Sequence, residues 1–471
     1  MSKTINADLC IIGAGSGGLS LAAGAAQLGR KVVLFEKSEM GGDCLNVGCV
    51  PSKSLIAAAS RAHAMRTADK FGVRPVEPEV DYAAVMDHVQ GVIAEIAPHD
   101  SQERFEGLGV TVIREHARFS GPREVVSDSA RVKAKHIVIA TGSRPHIPPI
   151  KGLQTTPYFT NETLWSNRTL PAHLIVIGGG PIGVELAQAH RRLGSIVTLI
   201  EGGDAVLNKD DPELVDVVER QLTDDGIDIR KGAMVDEIGG AGGDLWVRAG
   251  GETIHGSHLL IAAGRAPAVD GLELEKAGVE YTERGVKVDN RLKTTSDRIY
   301  AMGDVAGGLQ FTHVAGYHAS VLVRRILFKT PAKNNESISP WVTYSDPELA
   351  HVGLTEASAR EKHGDVKTVK WETLENDRAK AERDTRGLIK VVTEKNGKIL
   401  GASIAGAGAG DLILPWAASI AAGDKIKRFT DAIAPYPTRG ELTKRAAGQW
   451  YTPTLFSDKT RFFVSLLATF D

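Results

Sequence analysis

The chain has 471 residues, enough for more than one domain and by size about three. Lys plus Arg (56) and Asp plus Glu (58) nearly cancel, leaving a formal net charge of −2, and the cations are dispersed, which argues against nucleic-acid binding. No run of about 18 apolar residues marks a membrane span. Three cysteines, Cys10, Cys44 and Cys49, are too few for a secreted disulfide scaffold. Met1-Ser2-Lys3-Thr4 leads almost directly into a strand, leaving no room for a targeting segment, so a cytoplasmic location is expected.

Asp8-Leu9-Cys10-Ile11-Ile12 is a short apolar run, the mark of a buried parallel strand, with Cys10 as a small core residue. Gly13-Ala14-Gly15-Ser16-Gly17-Gly18 follows, then a small-residue helix through Ala26. Lys31 to Glu36 is a second strand ending in an acid about 20 residues past the glycines, the spacing of a dinucleotide-binding unit. Glycines at Gly13, Gly15 and Gly18 make the tight turn and let backbone N–H groups meet a pyrophosphate, and Glu36 takes ribose hydroxyls.

Gly41-Gly42-Asp43-Cys44-Leu45-Asn46-Val47-Gly48-Cys49-Val50-Pro51-Ser52-Lys53 is the stretch around which the chain is organised. Gly48 supplies backbone freedom between the two cysteines, and the residues from Lys53 read as the first turns of a helix. A thiol at a helix N-terminus is biased toward thiolate, and a second thiol in reach can close and reopen a disulfide. An arbitrary cysteine pair would read as a structural bridge; its neighbours here point to redox chemistry. Residues 55–105 look mainly helical, Val110 to Ile113 opens another strand set, and Lys135 to Ala140 is a strand ending in the turn Thr141-Gly142. Pro145 to Pro149 reads as a domain boundary.

The fingerprint then repeats. His173 to Ile177 leads into Gly178-Gly179-Gly180-Pro181-Ile182-Gly183, and Ile196 to Glu201 closes the unit with another acid. Two dinucleotide sites in one chain suggest hydride transfer between two cofactors, one of them a flavin. Glu201, followed by Gly202-Gly203-Asp204 with no arginine, favours the free ribose hydroxyls of NADH over the 2′-phosphate of NADPH. Leu259 to Gly264 closes the second unit as Ile137 to Gly142 closes the first, and a strand ending in Gly303-Asp304 places an acid toward ligand hydroxyls. Phe311-Thr312-His313-Val314 starts a helix whose N-terminus favours negative charge near a reduced flavin; His313 and His318 read as ordinary helix residues. From residue 342 strands alternate with helices as an α+β module, and the apolar segment Arg461 to Ala468 is too short to span a membrane.

With these motifs in hand, the chain resembles the FAD-dependent pyridine nucleotide–disulfide oxidoreductases over essentially its whole length. That group includes dihydrolipoamide dehydrogenase, glutathione reductase and mercuric reductase. The resemblance implies an α/β architecture: an FAD domain of residues 1–150 and 272–341, an NAD domain of residues 151–271, and a C-terminal α+β dimerisation domain of residues 342–471. It implies FAD contacts at Gly13, Gly15, Gly18, Glu36, Lys37, Gly42, Lys53, Ala117, Thr141, Gly142, Gly303 and Asp304. NAD contacts fall at Gly178, Gly180, Gly183, Glu201 and Gly264, and no metal site is implied. Cys49 is then the thiol against the flavin, Cys44 the interchange thiol, and Lys53 with Glu185 the ion pair where hydride arrives. A homodimer sharing its active site between subunits is expected, with a small-molecule or thiol/disulfide substrate.

Two departures bear on the substrate. Thiol-acting members carry His-Pro-Thr-x-x-Glu near the C-terminus, whereas this chain has Tyr436-Pro437-Thr438-Arg439-Gly440-Glu441. Tyrosine there is closer to mercuric reductases, yet no cysteine follows Cys49 to collect a metal. A smaller departure is Ala268 in place of the usual Asn. The expected activity is therefore NADH-dependent reduction of a disulfide or another thiol-reactive acceptor through Cys44 and Cys49. A metal-ion reductase, a weak dihydrolipoamide dehydrogenase and a redox-sensing flavoprotein stand as alternatives.

Overall fold

A computed structural model describes residues 3–470. Strand Lys3–Ile12 is longer than the apolar run that signals it, and it pairs in parallel with Val32–Phe35 on one side and Ala130–Ile139 on the other. Cys10 stands opposite both Val33 and Ile137, fully buried, and burial pushes its thiol pKa upward. Thr111–Ile113 extends the sheet beyond Val32–Phe35. Ile299–Ala301 adds in parallel to the C-terminal half of Ala130–Ile139, and an antiparallel pair, Glu124–Val126 with Arg118–Gly121, adds to its N-terminal half. The carboxyl ends of three parallel strands thus reach Gly13, Ala140 and Met302 together, where doubly wound sheets bind ligands.

Small residues on the helix Ser16–Gln27 bury Gly17, Leu21, Ala22 and Ala25. A Cβ on Gly17 would lie 2.7 Å from Met302 Cε and 3.2 Å from Ala315 Cβ, so this helix and Thr312–Leu322 approach as closely as the absent side chain allows. The second fingerprint builds a second parallel set, Ile196–Ile200, His173–Ile177 and His258–Ile261, with Ile175 opposite Thr198 and Leu259. A three-stranded antiparallel sheet of Val235–Ala241, Asp244–Ala249 and Glu252–Gly256 covers it through Ile238, Leu245 and Val247.

The chain divides into two compact units. One comprises residues 1–65, 77–202 and 232–336; the other comprises 66–76, 203–231 and 337–471. The second is built on a five-stranded antiparallel sheet in the order Trp341–Thr343, Glu348–Gly353, Ile399–Gly406, Leu388–Thr393, Lys367–Glu372. Helix Pro212–Asp224 docks onto this sheet through Lys390, whose buried ammonium lies 2.7 Å from Asp211 and 2.6 Å from Glu356. Helix Asp458–Leu467 has no buried residue. Among the described residues no helix is long and apolar enough to cross a membrane.

Candidate active site

The two glycine turns are built alike. Gly13 has φ +110°, and a Cβ there would lie 2.3 Å from the Ala140 carbonyl oxygen; a Cβ on Gly18 would lie 1.9 Å from the Gly13 carbonyl oxygen. Gly178 (φ +114°) and Gly183 repeat these contacts at 2.3 Å from the Ala262 oxygen and 1.9 Å from the Gly178 oxygen. Gly15 and Gly180 differ, because nothing lies within 4 Å of a Cβ at either; each leaves open surface at the start of a helix. That is the space a pyrophosphate needs against backbone N–H groups. Both acids brace their turns: Glu36 accepts from the Ala14 N–H at 2.7 Å, and Glu201 accepts from the Gly179 N–H at 2.7 Å. Gly264, φ +106°, likewise has open space at its Cβ position.

A cavity beside the first turn gathers Gly13, Glu36, Lys37, Ala117 and Thr141, with the Thr141 hydroxyl donating to the Ala268 carbonyl at 2.7 Å. Arg144, ion-paired with Asp270 at 2.7 Å, also lines it and carried no sequence signal. Five candidate residues drawn from separated stretches thus enclose one space. Asp304 follows Gly303 (φ +68°) and accepts from the Ser143 hydroxyl at 2.5 Å. Arg265 donates to Ser143 Oγ at 2.7 Å and to Asp43 Oδ2 at 2.6 Å, tying the segment after Gly142 to the residue before Cys44.

Gly42 seats the cysteine segment directly on the glycine turn, since a Cβ there would lie 2.6 Å from Gly15 Cα. Cys44 lies in the short helix Gly42–Asn46, and the next helix opens at Cys49 itself, four residues before the sequence suggests. Gly48 is required for a different reason than conformational freedom: its φ is not left-handed, but a Cβ would lie 2.9 Å from the Asp43 carbonyl oxygen. Trp165 Nε1 donates to the Val47 carbonyl at 2.9 Å and fixes the turn between the cysteines.

Cys49 Sγ is 3.3 Å from Thr312 Oγ1. The Cys49 thiol is held below its ordinary value, first by the neighbouring Cys44 thiol, and further by Thr312 and the charge of Lys53, against the effect of burial. The neighbouring Cys49 and burial push the Cys44 thiol up. Of the two, Cys49 is the thiol biased toward thiolate. Lys53, four residues along the helix, forms an ion pair with Glu185 at 2.7 Å, and Glu185 is buried on the helix that opens the second fingerprint.

Tyr436 and Glu441 belong to the second unit. The Tyr436 side chain is 70% exposed and its hydroxyl donates to Asp377 Oδ2 at 3.2 Å, which pushes the phenol pKa up. Asp377, not Glu441, is its hydrogen-bond partner; Glu441 sits in the first turn of helix Glu441–Leu455.

Residues 7–319 match the pyridine nucleotide-disulphide oxidoreductase family, and residues 339–447 match its dimerisation domain. The chain belongs to that family. Among its relatives, a mercuric reductase of Lysinibacillus sphaericus is 35% identical over 448 residues, 94% of this chain and 82% of that protein. A dihydrolipoyl dehydrogenase of Bacillus subtilis is 35% identical over 455 residues, 94% of this chain and 96% of that protein. Among solved structures, the Cu(II) complex of the HOCl-induced flavoprotein disulfide reductase of Escherichia coli aligns with a TM-score of 0.86 at 29% identity, covering 94% of this chain and 99% of that one. This oxidoreductase of the family therefore has the α/β architecture of the flavoprotein disulfide reductases, ending in a dimerisation domain.

Proposed function

We propose that this oxidoreductase uses NADH to reduce the Cys44–Cys49 pair, which then reduces a disulfide or another thiol-reactive acceptor. The observation that carries this reading is the Cys49 thiol, 3.3 Å from the Thr312 hydroxyl, one helical turn from the Lys53–Glu185 ion pair and biased toward thiolate by Cys44 beside it. FAD, when bound, supplies hydride acceptance from the nicotinamide and electron transfer to sulfur. The open surface at Gly15 and the cavity at Glu36, Lys37, Ala117 and Thr141 suit its ADP half; residues 1–150 and 272–341 would form its domain. The corresponding surface at Gly180, within residues 151–271, suits the nicotinamide cofactor, and Glu201 with no arginine following it favours NADH.

Lys53 provides a cation that Glu185 holds in place, which favours negative charge at the reacting centre. Cys49, biased toward thiolate, takes the proton that Cys44 gives up as the Cys44 sulfur attacks the acceptor. With a disulfide acceptor, a Cys44 mixed disulfide forms as one acceptor thiol leaves. Cys49 then displaces the second thiol and restores the Cys44–Cys49 bond. NADH and one proton are consumed for two thiols released.

The dimerisation domain supports a homodimer in which Tyr436 and Glu441 complete the partner's site. A second reading, reduction of a soft metal cation at the cysteine pair, is favoured by Tyr436. Its raised pKa makes it a hydrogen-bond donor rather than a base for thiol oxidation. The test is anaerobic reduction with NADH followed by reoxidation with small disulfides, mercuric ion or cupric ion, each alone. Reoxidation by disulfides supports the first reading, reoxidation by a metal ion alone supports the second, and failure of NADH to reduce the protein overturns both.

A further inference from the structure

We infer that His318 and Glu336 form a positioning device for the flavin, holding the Gly303–Asp304 turn in its ligand-facing conformation; this rests on the flavin reading above. His318 is 1% exposed on helix Thr312–Leu322, among buried Val314, Ala315, Ala319 and Leu322. A polar ring in that setting needs a hydrogen-bond partner. The Gly303 N–H donates to Nδ1 at 3.1 Å, so Nε2 carries the proton, and Nε2 faces Glu336 Oε1 at 3.4 Å without a hydrogen bond between them. Glu336 is committed in turn: Oε2 accepts from the Leu309 N–H at 3.2 Å and Oε1 from Asn334 Nδ2 at 2.9 Å.

The imidazole and the carboxylate therefore grip the two ends of one segment. His318 holds Gly303, and Glu336 holds Leu309. Between them lies Asp304, and three residues beyond Leu309 comes Thr312, the hydroxyl beside Cys49. Gly303 keeps φ +68°, with only 3.2 Å between a Cβ and Ala315 Cβ, and Gly308 keeps φ +74° with its Cβ position 2.4 Å from Glu336 Oε2. Gly307, at φ +75°, makes three glycines of positive φ in the segment, which therefore has little intrinsic preference for one shape. The His318–Glu336 pair supplies that preference from outside, so both ends of the flavin-facing segment are set before the cofactor arrives.

The test is FAD binding to apoprotein, read by flavin fluorescence, alongside the melting temperature of the same apoproteins. His318→Leu removes the acceptor for Gly303 and the ring that faces Glu336, and should weaken FAD binding about 10-fold or more, the usual consequence of orphaning a buried backbone donor. His318→Asn, whose amide oxygen stands where Nδ1 stood, should stay within about 3-fold of native. Native affinity in His318→Leu, with only a lowered melting temperature, would overturn the inference by showing an ordinary core residue. Glu336→Gln leaves Gly303 bonded but weakens the grip on Leu309. If His318→Leu does not fold, an FAD affinity in Glu336→Gln reduced about 5-fold would support the inference, and an unchanged affinity would overturn it. Apoprotein of native sequence that binds no FAD would instead sink the flavin reading itself, which is a separate result from native binding with indifferent variants.

Discussion

Replacing Cys44 by alanine isolates the contact that most strongly favours the Cys49 thiolate. In the native pair the neighbouring Cys44 thiol is the first cause that holds the Cys49 pKa below its ordinary value. A hydrogen bond to a charged acceptor is worth about 1.5–3 kcal/mol, and one pKa unit corresponds to 1.36 kcal/mol, so losing a donor of that strength raises the pKa by about 1–2 units. Thr312 and Lys53 remain and keep the thiol below its ordinary value. The Cys49 thiolate fraction near neutral pH should therefore fall in Cys44→Ala. The assay is a pH titration of the long-wavelength absorbance that a Cys49 thiolate gives against oxidised flavin, in the two-electron-reduced native protein and in Cys44→Ala. Because the folded pKa is depressed, thiolate is present above the native midpoint and lost as pH falls through it. A midpoint in Cys44→Ala unchanged from native would refute the reasoning and assign the depression to Lys53, Thr312 and the helix N-terminus instead.

Cys49→Ser should keep FAD but lose the long-wavelength band while Cys44→Ser keeps it; the reverse pattern would exchange the two thiol roles. kcat/KM should be higher for NADH than NADPH, and Glu201→Ala should narrow the gap, because the carboxylate beside the second glycine turn is then gone. Dihydrolipoamide oxidation should be slow in the native protein and rise in Tyr436→His, since general-base catalysis typically contributes about 10²–10⁴-fold; fast native turnover unchanged by the substitution would show that position 436 does not set the substrate. Lys390→Met should destabilise the second unit by about 3–5 kcal/mol by leaving Asp211 buried without its cation, read as a lowered denaturant midpoint.

The parts of the site that the sequence displays are those whose physics is local. Gly13, Gly15, Gly18 and Glu36 lie within one strand–turn–helix–strand unit, where a positive φ, a backbone approach and an acid at fixed distance leave a readable spacing, and the same holds for Gly178 to Glu201. The pair Cys44 and Cys49 is legible for the same reason, whereas the need for glycine at 48 is steric and shows only once the Asp43 carbonyl is in place. Contacts closed by long loops left no trace. Thr312 reaches Cys49 across 263 residues, Trp165 reaches Val47 across 118, and Arg265 reaches Asp43 across 222. Each is a single side chain whose partner is chosen by the packing of the sheet ends, so no periodicity announces it. His318 illustrates the cost: on a helix it reads as unremarkable, and only the position of the Gly303 N–H gives its ring a task. Asp377 is hidden from Tyr436 in the same way, 59 residues away.

The most direct test of the central claim is anaerobic titration of the purified yellow protein with NADH. The first equivalent should bleach little of the main flavin band and raise a long-wavelength band from the Cys49 thiolate, with two thiols newly reactive to a thiol reagent. Full bleaching of the flavin by that first equivalent, with no long-wavelength band and no new thiols, would contradict it, because the reducing equivalents would then have stopped short of Cys44 and Cys49.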